Sequence, residues 1–352
     1  MADAVVDNSL AFIPLPVTIL TGFLGAGKTT LINYLLEHNK GERIAIIENE
    51  FGAVNVDGAL LKKDADVEIV ELSNGCVCCS IRGELTQALH ELLAKIDSGA
   101  FKADRLLLET TGLADPAPIV QAFFVDEIIR ERIMLDAVIT LVDGIHIIKQ
   151  LDEHRVAASQ IGFADRIILT KADSIDDMQK DIVLSRINAI NSKAEIFEAF
   201  KGALPKEIWI GIGAFDLNDA LHVNQGFYQA KDVQNIQFKS FSTQKQTQSW
   251  SDDIKSYVFE AGELDIKKIG VFMENLVEKY GNDMLRYKGV LAIEGEERRL
   301  IVQGVHKVVG FDYGTAFDGE RKSLLVVIGR YLPYEELKVQ FFDTICLPLV
   351  QG

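Results

Sequence analysis

Cationic side chains and long apolar runs are both scarce in this sequence. The 352 residues include 36 Lys and Arg against 52 Asp and Glu, which gives a formal net charge of −16 at pH 7. Nucleic acids and anionic membrane surfaces bind clustered basic residues, so we expect neither as a partner. No run of about 18 apolar residues occurs, and Pro14 and Pro16 interrupt the most apolar early segment. We therefore expect no membrane-spanning helix.

The first ten residues contain no Lys or Arg. Secretory signals and transit peptides both carry basic residues, so we expect neither here. Residues 1–13 are predicted to be a disordered lead-in, and the protein is predicted to be cytoplasmic. The length suits about two domains, and a composition of 48% hydrophobic and 25% charged residues is typical of a globular protein.

Cysteine is rare, yet three of the four cysteines lie within four residues. Cys76, Cys78 and Cys79 form a Cys-x-Cys-Cys motif, whereas Cys346 stands alone near the end of the chain. Cysteines packed this tightly seldom build a disulfide framework, and in a cytoplasmic chain they favour metal or redox chemistry. Soft thiolates suit Zn²⁺ or Cu⁺, and a mixed ligand set could also take Co²⁺ or Fe²⁺. Buried structural cysteines and a redox pair remain alternatives.

The first half of the sequence alternates short β-rich runs with helical segments. Several runs are almost continuously apolar, as expected of parallel strands that are covered on both faces. The predicted strands are Val17–Thr21, Arg43–Glu48, Val67–Leu72, Arg105–Glu109, Ala137–Asp143, Arg166–Thr170 and Glu207–Ile210. Thr29–Asn39 and Ile81–Ser98 are predicted helices. The alternation predicts an α/β domain of the P-loop NTPase type over residues 14–225, with a mostly parallel sheet and helices on both faces.

The composition becomes more polar after Asp216. Residues 224–248 are rich in Gln, Asn, Lys and Ser, and we place the domain boundary among them, near residue 230. Beyond it the predicted elements are the strands Ile236–Phe241, Val290–Ile293, Arg299–Val305 and Ser323–Gly329 and the helices Asp265–Tyr280 and Tyr334–Thr344. They predict a small α+β C-terminal domain over residues 235–352.

The strongest motif is G-x-x-x-x-G-K-[ST], which begins at Gly22 and ends at Thr29. It follows a predicted strand and opens a predicted helix, so backbone N–H groups and the helix N-terminus can surround a phosphate. Lys28 is expected to reach the β and γ oxygens, and Thr29 to ligate Mg²⁺. The predicted phosphate-binding residues are Gly22, Gly25, Ala26, Gly27, Lys28, Thr29 and Thr30. A glycine-rich turn with a chance lysine is the alternative.

A second element ends a predicted strand with Glu109 and continues to Gly112. A carboxylate at such a strand end normally holds Mg²⁺ through water, and the glycine suits a backbone that turns to meet the γ-phosphate. A salt-bridged glutamate is the alternative. Asp57 is a candidate catalytic switch acid, and no Gln or Arg can be singled out as the group that positions water.

A third element, Thr170-Lys171-Ala172-Asp173, indicates which base is bound. Asp173 can accept hydrogen bonds from N1–H and the 2-amino group of guanine, while the stem of Lys171 lies over the base. Adenine has an acceptor at N1 and no amino group at C2, so we expect a preference for guanine. Most guanine-binding sites carry Asn at the position of Thr170, and the absence of Asn here removes one side-chain hydrogen bond. A chance occurrence of Lys and Asp after a strand is the alternative.

Three cysteines cannot complete a tetrahedral metal site by themselves. The remaining ligands have to come from a carboxylate, a histidine, water or a second chain, which leaves a homodimer open. Glu48 and Glu50 are the candidate carboxylates, although they could also serve the nucleotide or lie in a solvated acidic loop. None of the six histidines forms a closely spaced ligand pair, and His146 is the best single candidate, ahead of His306. An incomplete site suits a protein that has to release its ion.

The segments TGFLGAGKTT, IENEFG, NGCVCC, LLLETTG and LTKAD occur in the order and spacing of the CobW-type GTPase metallochaperone family. The sequence most resembles the YjiA-like branch, and LRYKG, RLIVQG and LLVVIG match the family's C-terminal domain. The resemblance implies a GTPase of slow turnover that binds Zn²⁺ at its cysteine motif and couples nucleotide state to metal transfer to a client protein. It implies phosphate and Mg²⁺ contacts from residues 25–30 and Glu109, base contacts from Lys171 and Asp173, and metal binding by the three clustered cysteines.

The chain departs from the family pattern at two points. Many relatives carry Glu directly after the segment ENEFG, where this chain has Ala53, and they also carry a histidine-rich stretch that is absent here. The first departure weakens any metal site that relied on that carboxylate, and the second leaves a storage role unsupported. Two other functions stay open: a regulatory GTP-binding protein with structural cysteines, and a kinase-like phosphotransferase that acts on a small molecule.

Overall fold

The computed structural model describes residues 14–39, 41–49, 67–71, 81–214 and 253–346, of which residues 48, 49, 67–71, 81 and 82 are described by their backbone alone. The predicted lead-in, the predicted domain boundary near residue 230 and the predicted strand Ile236–Phe241 lie outside the described residues. Within the described ranges, no helix combines the length and the apolar character that a bilayer crossing requires.

The first half of the chain forms a sheet of seven described strands in the order β3-β2-β4-β1-β5-β6-β7. Every neighbouring pair runs parallel. The strands are β1 Leu15–Gly22, β2 Ile44–Asn49, β3 Val67–Glu71, β4 Arg105–Thr110, β5 Ile133–Asp143, β6 Arg166–Thr170 and β7 Glu195–Ala199. Because β1 lies between β4 and β5, the strand order reverses there, and a crevice at the carboxyl ends of the strands is the usual ligand site of such a sheet.

Helices cover both faces of this sheet. They are α1 Lys28–His38, α2 Ile81–Asp97, α3 Pro116–Val125, α4 Glu127–Arg132, α5 Ile147–Glu153, α6 Arg155–Phe163 and α7 Asp177–Ile190. Successive strand residues point to opposite faces, so Ile19 joins the core that contains α2, α3 and α6, whereas Leu20 joins the core that contains α1. The predicted fold class, an α/β sheet with helices on both faces, is confirmed.

The predicted strand Glu207–Ile210 is wrong. Lys206–Ile208 forms a 3₁₀ turn, and the buried Trp209 that follows packs into the same core as α1. The seventh strand is Glu195–Ala199, where exposed and partly buried residues precede the buried Ala199. It is an edge strand, so it lacks the continuous apolar run that marks the inner strands of a parallel sheet.

The C-terminal part of the chain forms an antiparallel sheet of five described strands in the order β11-β10-β9-β12-β8. The elements are β8 Ile254–Ala261, α8 Ile266–Tyr280, β9 Met284–Leu291, β10 Arg298–Val305, β11 Val308–Ala316, β12 Ser323–Arg330 and α9 Tyr334–Phe342. Helices α8 and α9 pack on one face of the sheet. The predicted helices agree with α8 and α9 to within the frayed ends, but β8 and β11 were not predicted, and β9 begins at Met284, before the predicted Val290.

The opposite face of the second sheet packs against α6 of the first unit. Gly162 permits this approach, because a Cβ atom there would lie 2.9 Å from Leu285 Cδ1. Beyond the end of α6, the side chain of Asp165, only 6% exposed, accepts hydrogen bonds from Arg286 and Lys288 of β9. Apolar packing and a buried ionic cluster together hold the two units against each other.

Candidate nucleotide-binding site

The predicted phosphate loop connects β1 to α1 at the carboxyl edge of the parallel sheet. Gly22, Gly25 and Gly27 have φ values of 142°, 75° and 97°, which residues with a Cβ atom rarely adopt. Gly22 is required for a second reason, since a Cβ atom there would lie 2.4 Å from the carbonyl oxygen of Leu141. The glycines therefore allow the backbone to turn tightly at this point. The first N–H groups of α1, which have no partner within the helix, then face the crevice.

Lys28 is 8% exposed, and its Nζ donates a hydrogen bond to the carbonyl oxygen of Gly22 at 2.9 Å. The ammonium group therefore lies across the loop, where a phosphate-loop lysine meets the β and γ oxygens. Thr29 is partly buried and Thr30 is exposed, both in the first turn of α1, and Ala26 is buried behind the loop.

Glu109 is buried near the end of β4, directly beside Leu20 of β1. Next to it, Thr110 Oγ1 donates to Thr21 Oγ1 at 2.9 Å and joins the two strand ends. The backbone of Glu48 on β2 stands opposite Glu109 in the register. A hydroxyl at Thr29 and a carboxylate at Glu109 are hard oxygen donors of the kind that Mg²⁺ prefers, so the residues present fit that ion.

The segment after Glu109 touches the phosphate loop and is held from behind by α6. A Cβ atom on Gly112 would lie 2.5 Å from the backbone nitrogen of Leu24, so only glycine fits. Gln160, 1% exposed, donates from Nε2 to the carbonyl oxygens of Gly112 and Ala114, each at 3.2 Å. Sequence reasoning missed Gln160, because a glutamine on an amphipathic helix carries no signal that it faces inward.

The segment Thr170–Asp173 is also attached to the phosphate loop. The buried Thr170 Oγ1 lies 2.9 Å from the carbonyl oxygen of Ala26, and Lys171 Nζ donates to that of Gly25 at 3.1 Å. Thr170 therefore connects the strand end to the loop even though it is shorter than Asn. Asp173 lies in the 3₁₀ turn Ala172–Ser174 and is exposed, so its carboxylate is open to a ligand.

Asp143, at the end of β5, contacts three neighbouring residues through its carboxylate, and nothing in the sequence indicated a role for it. Its carboxylate, 2% exposed, accepts from Lys171 Nζ at 2.6 Å, from the Ile145 backbone at 2.9 Å, and meets His146 Nδ1 at 2.9 Å. Burial acts to raise the pKa of Asp143, but the hydrogen bonds from Lys171, His146 and Ile145 outweigh it, so the pKa lies below its usual value.

The structure describes few of the residues that the sequence assigns to the metal site and the switch. Cys76, Cys78, Cys79, Glu50 and Asp57 lie outside the described residues, and only the backbone of Glu48 is described. His146 contacts Asp143 at the end of β5. No group of three or more His, Cys, Asp or Glu side chains suited to a metal occurs within the described ranges. The cysteine motif lies in sequence between β3 and α2, and β3 ends at the same edge of the parallel sheet as β1.

The fold and the site together define a phosphate-loop nucleotide-binding protein. The family model described as CobW/HypB/UreG, nucleotide-binding domain matches residues 16–198, and the one described as cobalamin synthesis protein cobW C-terminal domain matches residues 254–345. The chain belongs to the CobW/HypB/UreG family, as its sequence motifs implied.

Two similar proteins and one solved structure span nearly the whole chain. The zinc chaperone YjiA of Escherichia coli K12 is 40% identical over 331 residues, which cover 93% of this chain and 98% of the relative. The zinc chaperone CobW of Pseudomonas aeruginosa is 36% identical over 355 residues, 90% of this chain and 88% of the relative. The crystal structure of Zn(II)-bound YjiA GTPase from E. coli has a TM-score of 0.74 and 34% identity, and the match covers 95% of this chain and 100% of that chain.

Proposed function

We propose that this protein is a GTP-hydrolysing metallochaperone. It hydrolyses GTP, binds Zn²⁺ as its cargo and couples its nucleotide state to delivery of the metal to a client metalloprotein. The observation that carries the nucleotide part is the attachment of Thr170 and Lys171 to the loop carbonyls of Ala26 and Gly25, at 2.9 and 3.1 Å. This contact holds the base-reading segment beside the phosphate-binding segment, as one nucleotide requires. The names of the relatives support the zinc chaperone part.

The phosphates are bound by the loop amides and by Lys28, in the geometry described above. Thr29 and Glu109 would hold Mg²⁺, and the ion when bound would neutralise charge on the phosphate oxygens. Water attacks the γ-phosphorus in line, and the bond to the bridging oxygen of GDP breaks. The residues of this chain contribute by positioning the phosphates and neutralising their charge.

Guanine is selected by Asp173 and supported by Lys171. The exposed carboxylate of Asp173 accepts from N1–H and the 2-amino group of the base, a pair of donors that adenine lacks. Asp173→Asn should therefore lower the preference for GTP over ATP, while Lys171→Ala should weaken both nucleotides.

Zn²⁺ is bound by Cys76, Cys78 and Cys79, with a further ligand from Glu48, Glu50, His146, water or a second copy of the chain. Co²⁺ and Fe²⁺ fit the same mixed donor set. Strands β2 and β3 run parallel to β1 and end at the same edge of the sheet as the phosphate loop. We therefore infer that the γ-phosphate orders residues 48–57 and the cysteine motif, with Asp57 as the switch acid. We assign residues 14–225 to the GTPase domain and 235–352 to the C-terminal domain, and place the protein in the cytoplasm.

Anaerobic titration with Zn²⁺ tests the proposal, in the presence of a non-hydrolysable GTP analogue, GDP or no nucleotide. Zinc affinity should differ between the GTP-analogue and GDP states, and by linkage Zn²⁺ should change the affinity for the analogue relative to GDP by the same factor. Cys78→Ser should weaken zinc binding and leave nucleotide binding intact. Equal zinc affinities in all three states would refute the coupling, and an unfolded or unaltered Cys78→Ser protein would favour structural cysteines.

A further inference from the structure

Lys171 is held in a conformation that its own residue type does not favour. Its φ is 56°, in the left-handed region that non-glycine residues seldom adopt. The side chain of Lys171 is hydrogen-bonded to Asp143 and to the phosphate loop. Its Nζ lies 2.6 Å from Asp143 Oδ2 and 3.1 Å from the Gly25 carbonyl oxygen. The flexible lysine stem is therefore fixed at both its backbone and its ammonium end.

The carboxylate that fixes Lys171 is itself immobile. Asp143 is buried at the last residue of β5, where it stands opposite Thr170 in the register. The backbone of Ile145 and the ring of His146 both contact it, so its rotamer is determined before any ligand binds. The adjacent Gly144 donates its N–H to the Thr170 carbonyl oxygen at 2.9 Å, which locks the β5 and β6 strand ends together.

We propose that Asp143 is a positioning residue for the nucleobase, and that it acts through Lys171. The inference rests on the proposed guanine site, in which the Lys171 stem lies over the base. By pinning Nζ, Asp143 keeps the stem extended along the base plane, so a ligand does not have to order a mobile lysine when it binds. The contact between Asp143 and Lys171 does not depend on which base is bound, whereas Asp173 distinguishes guanine from other bases. Asp143 therefore raises the affinity for the nucleotide, and Asp173 determines which base is preferred.

The test measures binding of GTP, ITP and tripolyphosphate, each by competition against a fluorescent GDP analogue. Asp143→Asn should weaken GTP and ITP by the same factor, about tenfold for a lost charged hydrogen bond, and leave tripolyphosphate unchanged. ITP lacks the 2-amino group, so Asp173→Asn should instead change the ratio of GTP to ITP affinity. In the Lys171→Ala background, Asp143→Asn should have no further effect, because both changes remove the same interaction.

A matched control is available on the same strand. Asp136 is a buried carboxylate of β5, near its other end, and accepts from Thr18 Oγ1 and from the backbone of Gly211 and Gly213. Asp136→Asn should lower the melting temperature and leave the ratio of GTP to tripolyphosphate affinity unchanged. A purely structural role for Asp143 predicts the same behaviour for both variants and would overturn the proposal.

Further results would distinguish the loss of the Asp143 role from the loss of the guanine site itself. If neither Lys171→Ala nor Asp173→Asn changes GTP affinity, the guanine site is wrong and the inference falls with it. If Lys171→Ala weakens GTP but Asp143→Asn does not, only the role of Asp143 is lost. Asp143→Ser, which can still accept the Ile145 N–H, repeats the test with a smaller side chain. If both Asp143 variants are unfolded by circular dichroism in saturating GDP, Asp143 is a folding determinant and the inference is overturned.

Discussion

Gly112 lies so close to the phosphate loop that a Cβ atom on it would stand 2.5 Å from the backbone nitrogen of Leu24. The phosphate loop and the segment after Glu109 are therefore in close contact, and a shift in one has to move the other. Through this contact a change in the phosphate loop can reach the segment after Glu109.

Gly112→Ala should abolish most GTP hydrolysis. The added methyl group must displace Leu24 or Gly112, and a misplacement of about 1 Å can cost about a hundredfold in rate. Phosphate release from GTP measures the effect, with Gly270→Ala as the matched control. Gly270 is exposed in α8, and apart from its own stretch of helix no atom lies within 4 Å of where the methyl group would stand, so its substitution should stabilise the helix slightly. Full activity in Gly112→Ala would contradict the close contact.

Gln160→Leu should lower kcat and leave GDP affinity nearly unchanged. The substitution removes two hydrogen bonds, to the carbonyl oxygens of Gly112 and Ala114. Without them the segment after Glu109 should be less well positioned, and we expect a loss of about tenfold in the hydrolysis rate. Steady-state GTP hydrolysis and GDP titration separate the two effects. Gln87→Leu is the control, because Gln87 is exposed on α2 and bonds only to Glu91 in its own helix among the contacts seen. Equal losses in both variants would argue against a specific role for Gln160.

Asp165→Asn should destabilise the protein strongly. The side chains of Asp165 and Arg286 are 6% and 5% exposed, and loss of one partner from a buried ion pair costs about 3–5 kcal/mol. Urea unfolding followed by circular dichroism measures the change. Asp97→Asn removes the exposed ion pair with Arg132 and should have little effect. A similar free energy of unfolding for Asp165→Asn and the wild type would show that apolar packing alone joins the two units.

His306 should make stability fall as the pH drops below about 6.5, the ordinary histidine pKa. Burial lowers the pKa of His306, against the opposing influence of Asp115. The unfolded chain then binds a proton more readily than the folded one, so the contribution of His306 is fully present above the ordinary pKa and is lost as the pH falls through the lower folded value.

Melting temperatures at pH 7.5 and pH 5.5 test this prediction, with His306→Asn as the comparison. Asn tolerates the left-handed backbone of this position, where φ is 51°, and it does not titrate. The wild type should lose more stability on acidification than His306→Asn does. The same acid loss in both proteins would assign the effect to other groups.

Local motifs were predictable because their chemistry is contained in short stretches of chain. The glycines of the phosphate loop are required by backbone angles at those positions, and inner strands are marked by apolar runs such as IAII at the start of β2. The cysteine motif is equally visible, although its three thiols lie outside the described residues and their role stays a prediction. The edge strands β7, β8 and β11 were missed or misplaced, since a strand with a solvated side mixes polar and apolar residues.

The sequence by itself determined the phosphate-loop motif, the Glu109-to-Gly112 element, the Thr170-to-Asp173 motif and the family, because each depends on residue types at fixed spacing. Only the tertiary structure decided that Asp143 holds Lys171, that Gln160 holds the segment after Glu109, and that Asp165 joins the second sheet to the first unit. These partners are separated along the chain by 28, 48 and 121 residues. Their contacts arise from how strands and helices pack, and no spacing rule within one segment encodes them.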